Sequence, residues 1–291
     1  MRRFIYIPFL LILLFLSNPF SRVTTTHSVV SDSLAFTVIV DSSALYAALT
    51  DSLHEALWAG DSSAVAQLLA SGARPDSIGA LDNFTPLHRA VEANRPDLVR
   101  LLLEASANPN VMSRNADGND LTPLHMAAEQ GSAAMVSDLL AAGARPDTST
   151  VFRETPLHGV RWMMDEPAIA ALLLRQGADP NAQTVFGATP LHHAALLGTS
   201  RLTRVLLVDG ADPDLVNRKG QSPLHIAAKA GYTGVVALLL DAGGDPDQRD
   251  FSGQTPLALA TAGDYPDIVR LLLVHGASPA PEELAASAAA H

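Results

Sequence analysis

Ser222-Pro-Leu-His-Ile-Ala-Ala228, then Gly231, then Val235-Val-Ala-Leu-Leu-Leu240 and Gly243-Gly-Asp-Pro-Asp247, form one unit of a pattern that fills most of the chain. Outward from it, Thr-Pro-Leu-His opens units at Thr85, Thr122, Thr155 and Thr189, and a variant without the histidine opens one at Thr255. A second marker keeps the same beat. Pro75, Pro109, Pro146, Pro180, Pro213, Pro246 and Pro279 each end a Gly-Ala-x-Pro-like turn. The prolines count seven units, so a degenerate first repeat is expected near Asp51, with Asp51 replacing Thr as helix cap and Leu53, His54 and Gly60 in register.

Each recurring position has a physical reason. Thr or Ser accepts from an orphan N–H and caps a first helix. Proline follows at the first helical position, where its missing donor costs nothing. Leu and the Ala-Ala pair let this short inner helix pack closely, and Gly131, Gly198 and Gly231 end it in the left-handed conformation. The Val-x-x-Leu-Leu-Leu run builds an outer helix, and Gly-Ala-Asp-Pro-Asn turns the chain into an extended finger.

This pattern resembles the ankyrin repeat over roughly residues 46 to 282, in the manner of an exported, bacterial-type member. The resemblance implies an all-α solenoid of helix-turn-helix units with β-hairpin-like fingers, seven repeats starting near 51, 85, 122, 155, 189, 222 and 255. Contacts in such an array run between neighbours only. It also implies a module that binds a protein through its concave face and fingers, without cofactor or catalysis. Residues 27–45 form a linker or N-terminal cap, with Leu34 to Val40 open to a strand or a cap reading, and 283–291 form an Ala-rich tail.

Composition agrees with that class. Hydrophobic residues make up 48% and aromatics 5%, which suits thin, repetitive helical packing. With 19 Lys plus Arg against 30 Asp plus Glu, the net charge is −11, and no basic face exists to displace counterions from phosphates. Nucleic acid is excluded as a partner, and a monomer is expected. No cysteine is present, so disulfides, thiolate zinc sites and cysteine nucleophiles are excluded.

Arg2 and Arg3 precede the apolar run Phe4 to Leu16, the pattern of a secretory leader. Residues 1–26 are read as a signal peptide, or as a membrane anchor if uncleaved, and the expected location is outside the cytoplasm. Any membrane contact would be through this segment.

Six of the ten histidines, His54, His88, His125, His158, His192 and His225, share one repeat position. One reading is a metal column; by resemblance to ankyrins, each imidazole instead ties one unit to the next. Helices pack about 8–10 Å apart, whereas ligands of one zinc sit about 2.0–2.1 Å from it, so adjacent repeats do not share an ion here. The adjacent His192 and His193 point to different parts of a helix surface and chelate poorly together. Carboxylates such as Asp76, Asp179, Asp212, Asp214, Asp245 and Asp247 fall at turns. The loop Asn115 to Asp120 resembles a calcium loop but has Leu124 where a bidentate Glu is required. No catalytic, metal or cofactor residue is assigned. The alternative function is a metal- or small-molecule-binding envelope protein using the histidines and acidic residues of the repeats.

Partner information lies where the repeat departs from itself. Repeats four and five carry Val151, Phe152, Val185 and Phe186 at their finger tips, and Trp162, Met163, Leu196 and Leu197 on their inner helices. Glu92, Glu129, Gln130 and Lys229 stand at the equivalent helix places elsewhere; Trp58 of repeat one is an apolar exception. The eight apolar residues are the predicted partner-binding surface, centred on Trp162. The finger Asn110 to Leu121 is about four residues longer than its neighbours, and repeat four replaces the usual apolar-Ala-Ala by Gly159, Val160 and Arg161.

Overall fold

The computed structural model describes residues 42–79, 83–114, 118, 120–160 and 167–279. They form helical pairs in two compact units, one ending at Asn108 and the other beginning at Pro109. The first holds α1 (Ser42–Ala59), α2 (Ser62–Ala70), α3 (Pro86–Glu92) and α4 (Pro96–Glu104). The second holds the two-residue strands β1 (Ser113–Arg114) and β2 (Asp120–Leu121), then α5 (Pro123–Gln130), α6 (Ala133–Ala141), α7 (Pro167–Arg175), α8 (Pro190–Leu197), α9 (Ser200–Val208), α10 (Pro223–Ala230), α11 (Thr233–Asp241), α12 (Pro256–Ala262) and α13 (Pro266–Val274). This is the all-α helix-turn-helix architecture expected from the repeat.

The helix signals act as anticipated. Thr85, Thr122, Thr189 and Thr255 are extended N-caps whose hydroxyls accept from the N–H three residues on, with proline opening each helix. Gly131, Gly198 and Gly231 close α5, α8 and α10 with φ between 71° and 80°. At Gly198 the glycine is required twice over. Its φ of +71° strains any L side chain, and an added β-carbon would lie 2.6 Å from the Tyr232 ring.

Burial follows the same periodicity. Leu87, Leu124, Leu157, Leu191, Leu224 and Leu257 share one position and are buried in repeats two to seven, as are Leu102, Leu139, Leu173, Leu206, Leu239 and Leu272 on the outer helices. Each such leucine contributes roughly 1.5–3 kcal/mol by leaving water. In the second unit, α8 packs on α10 and α10 on α12, while α7, α9, α11 and α13 follow one another behind them. Neighbour-to-neighbour contact is thus realised within this unit.

Two features depart from expectation, the start of α1 and the inner segment of repeat four, while the enlarged finger is hairpin-like as expected. α1 begins at Ser42, so Asp51 lies inside an 18-residue helix and is not its cap. The stretch Ser42 to Ala59 contains no Gly or Pro and is rich in Ala and Leu, so nothing interrupts the helix at Asp51. Leu34 to Val40 lies outside the described residues. The enlarged third finger closes as a small antiparallel pair, Ser113 opposite Leu121 and Arg114 opposite Asp120. In repeat four, residues 155–160 form turns closed by His158 N–H to Thr155 O (2.9 Å) and Gly159 N–H to Pro156 O (3.1 Å). Gly159, costing about 1 kcal/mol in a helix interior, stands where other repeats have Arg89, Met126, His193, Ile226 and Leu259.

Candidate functional site

Four of the six histidines of the column, His125, His158, His192 and His225, are engaged at both ring nitrogens in holding the repeats. In α5, the Thr122 backbone N–H donates to His125 Nδ1 at 3.2 Å. Thr155 to His158, Thr189 to His192 and Ser222 to His225 repeat the bond at 3.1 to 3.2 Å. An amide N–H can only donate, so Nδ1 is bare and the ring proton sits on Nε2. Nε2–H then donates to a finger carbonyl of the following repeat: Glu154 (3.2 Å), Ala188 (3.3 Å), Gln221 (2.9 Å) and Gln254 (3.2 Å). Both ring nitrogens are occupied, as the structural reading of these residues expects. Burial holds His125, His158 and His192 down to about 4, and lowers His54 and His225. No group of three metal-ligating side chains occurs among the described residues.

The turn carboxylates are similarly committed. Asp147 accepts from the Asp179 N–H at 2.9 Å, Asn181 from Asp212 at 2.8 Å, Asp214 from Asp245 at 2.8 Å and Asp247 from Ser278 at 2.7 Å. The residue after each proline therefore binds the residue before the next one. In the first unit Asp76 holds the Asn108 N–H in the same way. The displaced carboxylate Asp97 is also structural. Arg95 and the Ser62 hydroxyl hold it well below the usual carboxylate range, while Arg95 also reaches the Gly60 carbonyl. An open concavity lined by Tyr46, Thr50, Arg74 and Ile78 has Arg74 stacked 5.0 Å above the Tyr46 ring. That stacking turns the guanidinium toward the wall of the concavity.

The fingers of the second unit make a different kind of surface. Each tip is a tight turn fastened by a side chain at its base: Thr150 and Thr184 accept from two backbone N–H groups each, and Asn217 and Asp250 do the same. Successive tips are then joined backbone to backbone. Val185 N–H donates to Phe152 O at 2.8 Å, Arg218 N–H to Phe186 O at 2.9 Å and Phe251 N–H to Lys219 O at 3.0 Å. Turn chemistry thus fixes each tip, and the cross-bonds fix the row.

Of the eight residues predicted to bind a partner, this row brings Val151, Phe152, Val185 and Phe186 together. Phe152 is 44% and Phe186 62% exposed; Val151 is also exposed, and Val185 half-buried. Leu196 is 58% exposed and Leu197 half-buried at the end of α8, about 9 Å of helix beyond Pro190. Trp162 and Met163 lie outside the described residues. Trp58 is exposed, with the Arg89 guanidinium 4.3 Å above its ring. The sequence reading missed Arg218, Lys219 and Phe251, although they occupy the register positions of Val185 and Phe186.

The model for ankyrin repeats matches three times, over residues 53–150, 157–250 and 200–282. The chain belongs to the ankyrin-repeat family. The ankyrin repeat domain of Bcl-3, described as a unique member of the IkappaB protein family, is a structural relative at 30% identity and a TM-score of 0.64, over 76% of this chain and 97% of that one. The 2-5A-dependent ribonuclease of Mus musculus is 42% identical over 64 residues, which is 22% of this chain and 9% of that protein. Its likeness is thus confined to a stretch inside the ankyrin array. Ankyrin repeats generally mediate protein–protein interactions and are typically non-enzymatic, which agrees with histidines and carboxylates consumed in holding the array.

Proposed function

We propose that this ankyrin array binds a partner protein through the finger tips of repeats four and five and the inner-helix end of repeat five. The observation that carries the reading is the exposed apolar row Val151, Phe152 and Phe186, held by the bond from Val185 to Phe152. Exposed apolar groups clustered on a rigid edge mark interaction sites more often than scattered ones do. Preorganisation favours binding because little freedom is lost when the partner arrives.

The leader adds a location to this reading: the module works outside the cytoplasm, released or tethered by residues 1–26. Arg2 and Arg3 before Phe4 to Leu16 support it. Among the described residues, no helix is long and apolar enough to cross a membrane.

Site-specific photocrosslinking tests the docking face. A photoreactive phenylalanine at Phe186 should capture a partner in the native envelope fraction, and the same group at the exposed Val208 on α9 should not. Capture should vanish when Phe152 and Leu196 are both replaced by serine. Equal capture from Val208 would remove the basis for the assignment.

A further inference from the structure

We propose that the finger row of repeats four to seven docks an extended acidic peptide segment that also carries apolar side chains. The inference rests on the protein-binding reading above and adds to it the chemistry of the partner. Read in order, the tips present Phe152, Phe186, the pair Arg218 and Lys219, and Phe251, which is 78% exposed. Their backbone cross-bonds make them consecutive neighbours in one row, so the cations stand between aromatic groups on both sides.

The charge of this row is opposite to that of the molecule. The chain carries −11. Yet the finger segments 150–154, 184–188, 217–221 and 249–254 hold Arg153, Arg218, Lys219 and Arg249 against only Glu154 and Asp250. Asp250 is buried and spent on its own turn, where it accepts from Ser252 and Gln254. Arg249 is folded back on the Gly253 carbonyl at 2.8 Å. Among the described residues, no carboxylate pairs with Arg153, Arg218 or Lys219, and all three are exposed. A partner that buries Phe186 and Phe251 covers the cations between them, and only negative charge offsets their desolvation.

Spacing fixes the form of the ligand. Stacked units repeat at about the 8–10 Å separation of packed helices, and a segment extended as polyproline II rises about 3.1 Å per residue with three residues per turn, so every third side chain faces the same way. Three ligand residues therefore span one repeat, and successive tips read positions i, i+3, i+6 and i+9. The row demands apolar, apolar, acidic, apolar. The tip amides of Val185, Arg218 and Phe251 are already bonded within the row, so recognition falls to side chains and not to strand addition. Single-stranded nucleic acid would share the aromatic groups, but the adjacent pair Arg218 and Lys219 between apolar tips is not the continuous basic groove that tracks a phosphate backbone.

The test uses the full chain and fluorescein-labelled probes in anisotropy titrations. The first probe is a serine-based 12-residue peptide with leucine at positions 2, 5 and 11 and glutamate at 7, 8 and 9, offered in both sequence directions. The others are the same peptide with lysine for glutamate, and a 12-nucleotide oligothymidylate. The glutamate peptide should bind in one direction, weaken as salt rises, and lose at least about tenfold in affinity when Arg218→Glu and Lys219→Glu are combined. Circular dichroism of that variant should be unchanged, since both residues are exposed at a turn. No binding of the glutamate peptide, equal binding of the lysine peptide, or tighter binding of the oligonucleotide overturns the proposal. Crosslinking from Phe186 separates the two levels. If it survives the charge reversal, the acidic-peptide inference fails and the protein-binding reading stands; if Phe186 captures nothing in the wild type, the reading itself fails.

Discussion

His192 donates its Nε2–H to the carbonyl of Gln221, 2.9 Å away, while its Nδ1 accepts from the Thr189 amide at 3.1 Å. One imidazole thus caps its own helix and fastens the next finger. His192→Ala should destabilise the protein by about 2 to 4 kcal/mol, because it orphans a buried amide and a half-buried carbonyl together. Lys229→Ala, on an exposed helix end, should stay within about 0.5 kcal/mol. Urea unfolding of both variants makes the comparison, and equal losses would contradict the tie.

The same histidines make stability depend on pH. In the unfolded chain imidazole takes a proton near 6.5, whereas folded His125, His158 and His192 resist until about 4. Between those values the unfolded state holds more protons, so stability rises with pH across the window. It is complete above about pH 6.5 and is lost as pH falls toward 4. Each histidine contributes up to about 1.4 kcal/mol per pH unit there. Urea midpoints at pH 7.5, 6 and 5 should decline in that order; a flat profile would mean these rings are not neutral in the fold.

Leu173→Ala and Leu239→Ala should each cost about 2 to 5 kcal/mol, since both side chains are fully buried on outer helices. Gln130→Ala, at the exposed end of α5, should be within about 0.5 kcal/mol of neutral. Similar losses for all three would show that the helical register is wrong.

Gly198→Ala should cost more than Gly243→Ala. Both glycines have positive φ, a backbone penalty of roughly 1–2 kcal/mol for alanine. A β-carbon at Gly243 meets nothing within 4 Å, whereas one at Gly198 strikes the Tyr232 ring. In a Tyr232→Ala background the two penalties should converge. Persistence of the difference would place its cause elsewhere.

A reporter fused after Thr50 should be active only outside the cytoplasm, because Arg2 and Arg3 hold the N-terminus inside while the apolar run crosses. Full reporter activity in the cytoplasm would end the export reading.

The helical pairs were legible because their signals are local. Thr85 before Pro86, or Gly231 after Ala230, acts on the backbone within one turn and needs no distant partner. The start of α1 was misread for a related reason. Asp51 falls at the register of Thr85, but lacks the proline after it, and the Ala-Leu-Tyr-Ala-Ala-Leu stretch before it has its own helical propensity. The finger row was legible only in part. Val151, Phe152, Val185 and Phe186 stood out as apolar residues in a turn, whereas Arg218 and Lys219 looked like ordinary loop cations. What makes them one surface is the bond from each tip amide to the previous tip carbonyl, and backbone groups carry no trace in residue identity. The rungs from Asp147 to Asp179 and from Asp214 to Asp245 were hidden similarly: each residue reads correctly as a turn former, and its second role appears only when the next turn lies beside it.

Those rungs make the units exchangeable. Asn181 faces the Asp212 amide, Asp214 faces the Asp245 amide, and Asp247 faces that of Ser278. Every rung asks only for a carbonyl-type oxygen after one proline and an N–H before the next. If residues 189–221 were excised in frame, Asn181 would meet Asp245 where it had met Asp212, and His158 would still have Ala188. A gene of this kind can lengthen or shorten its product by whole-unit recombination while each junction stays chemically legal, so the ligand-reading edge can be edited in steps of three ligand residues.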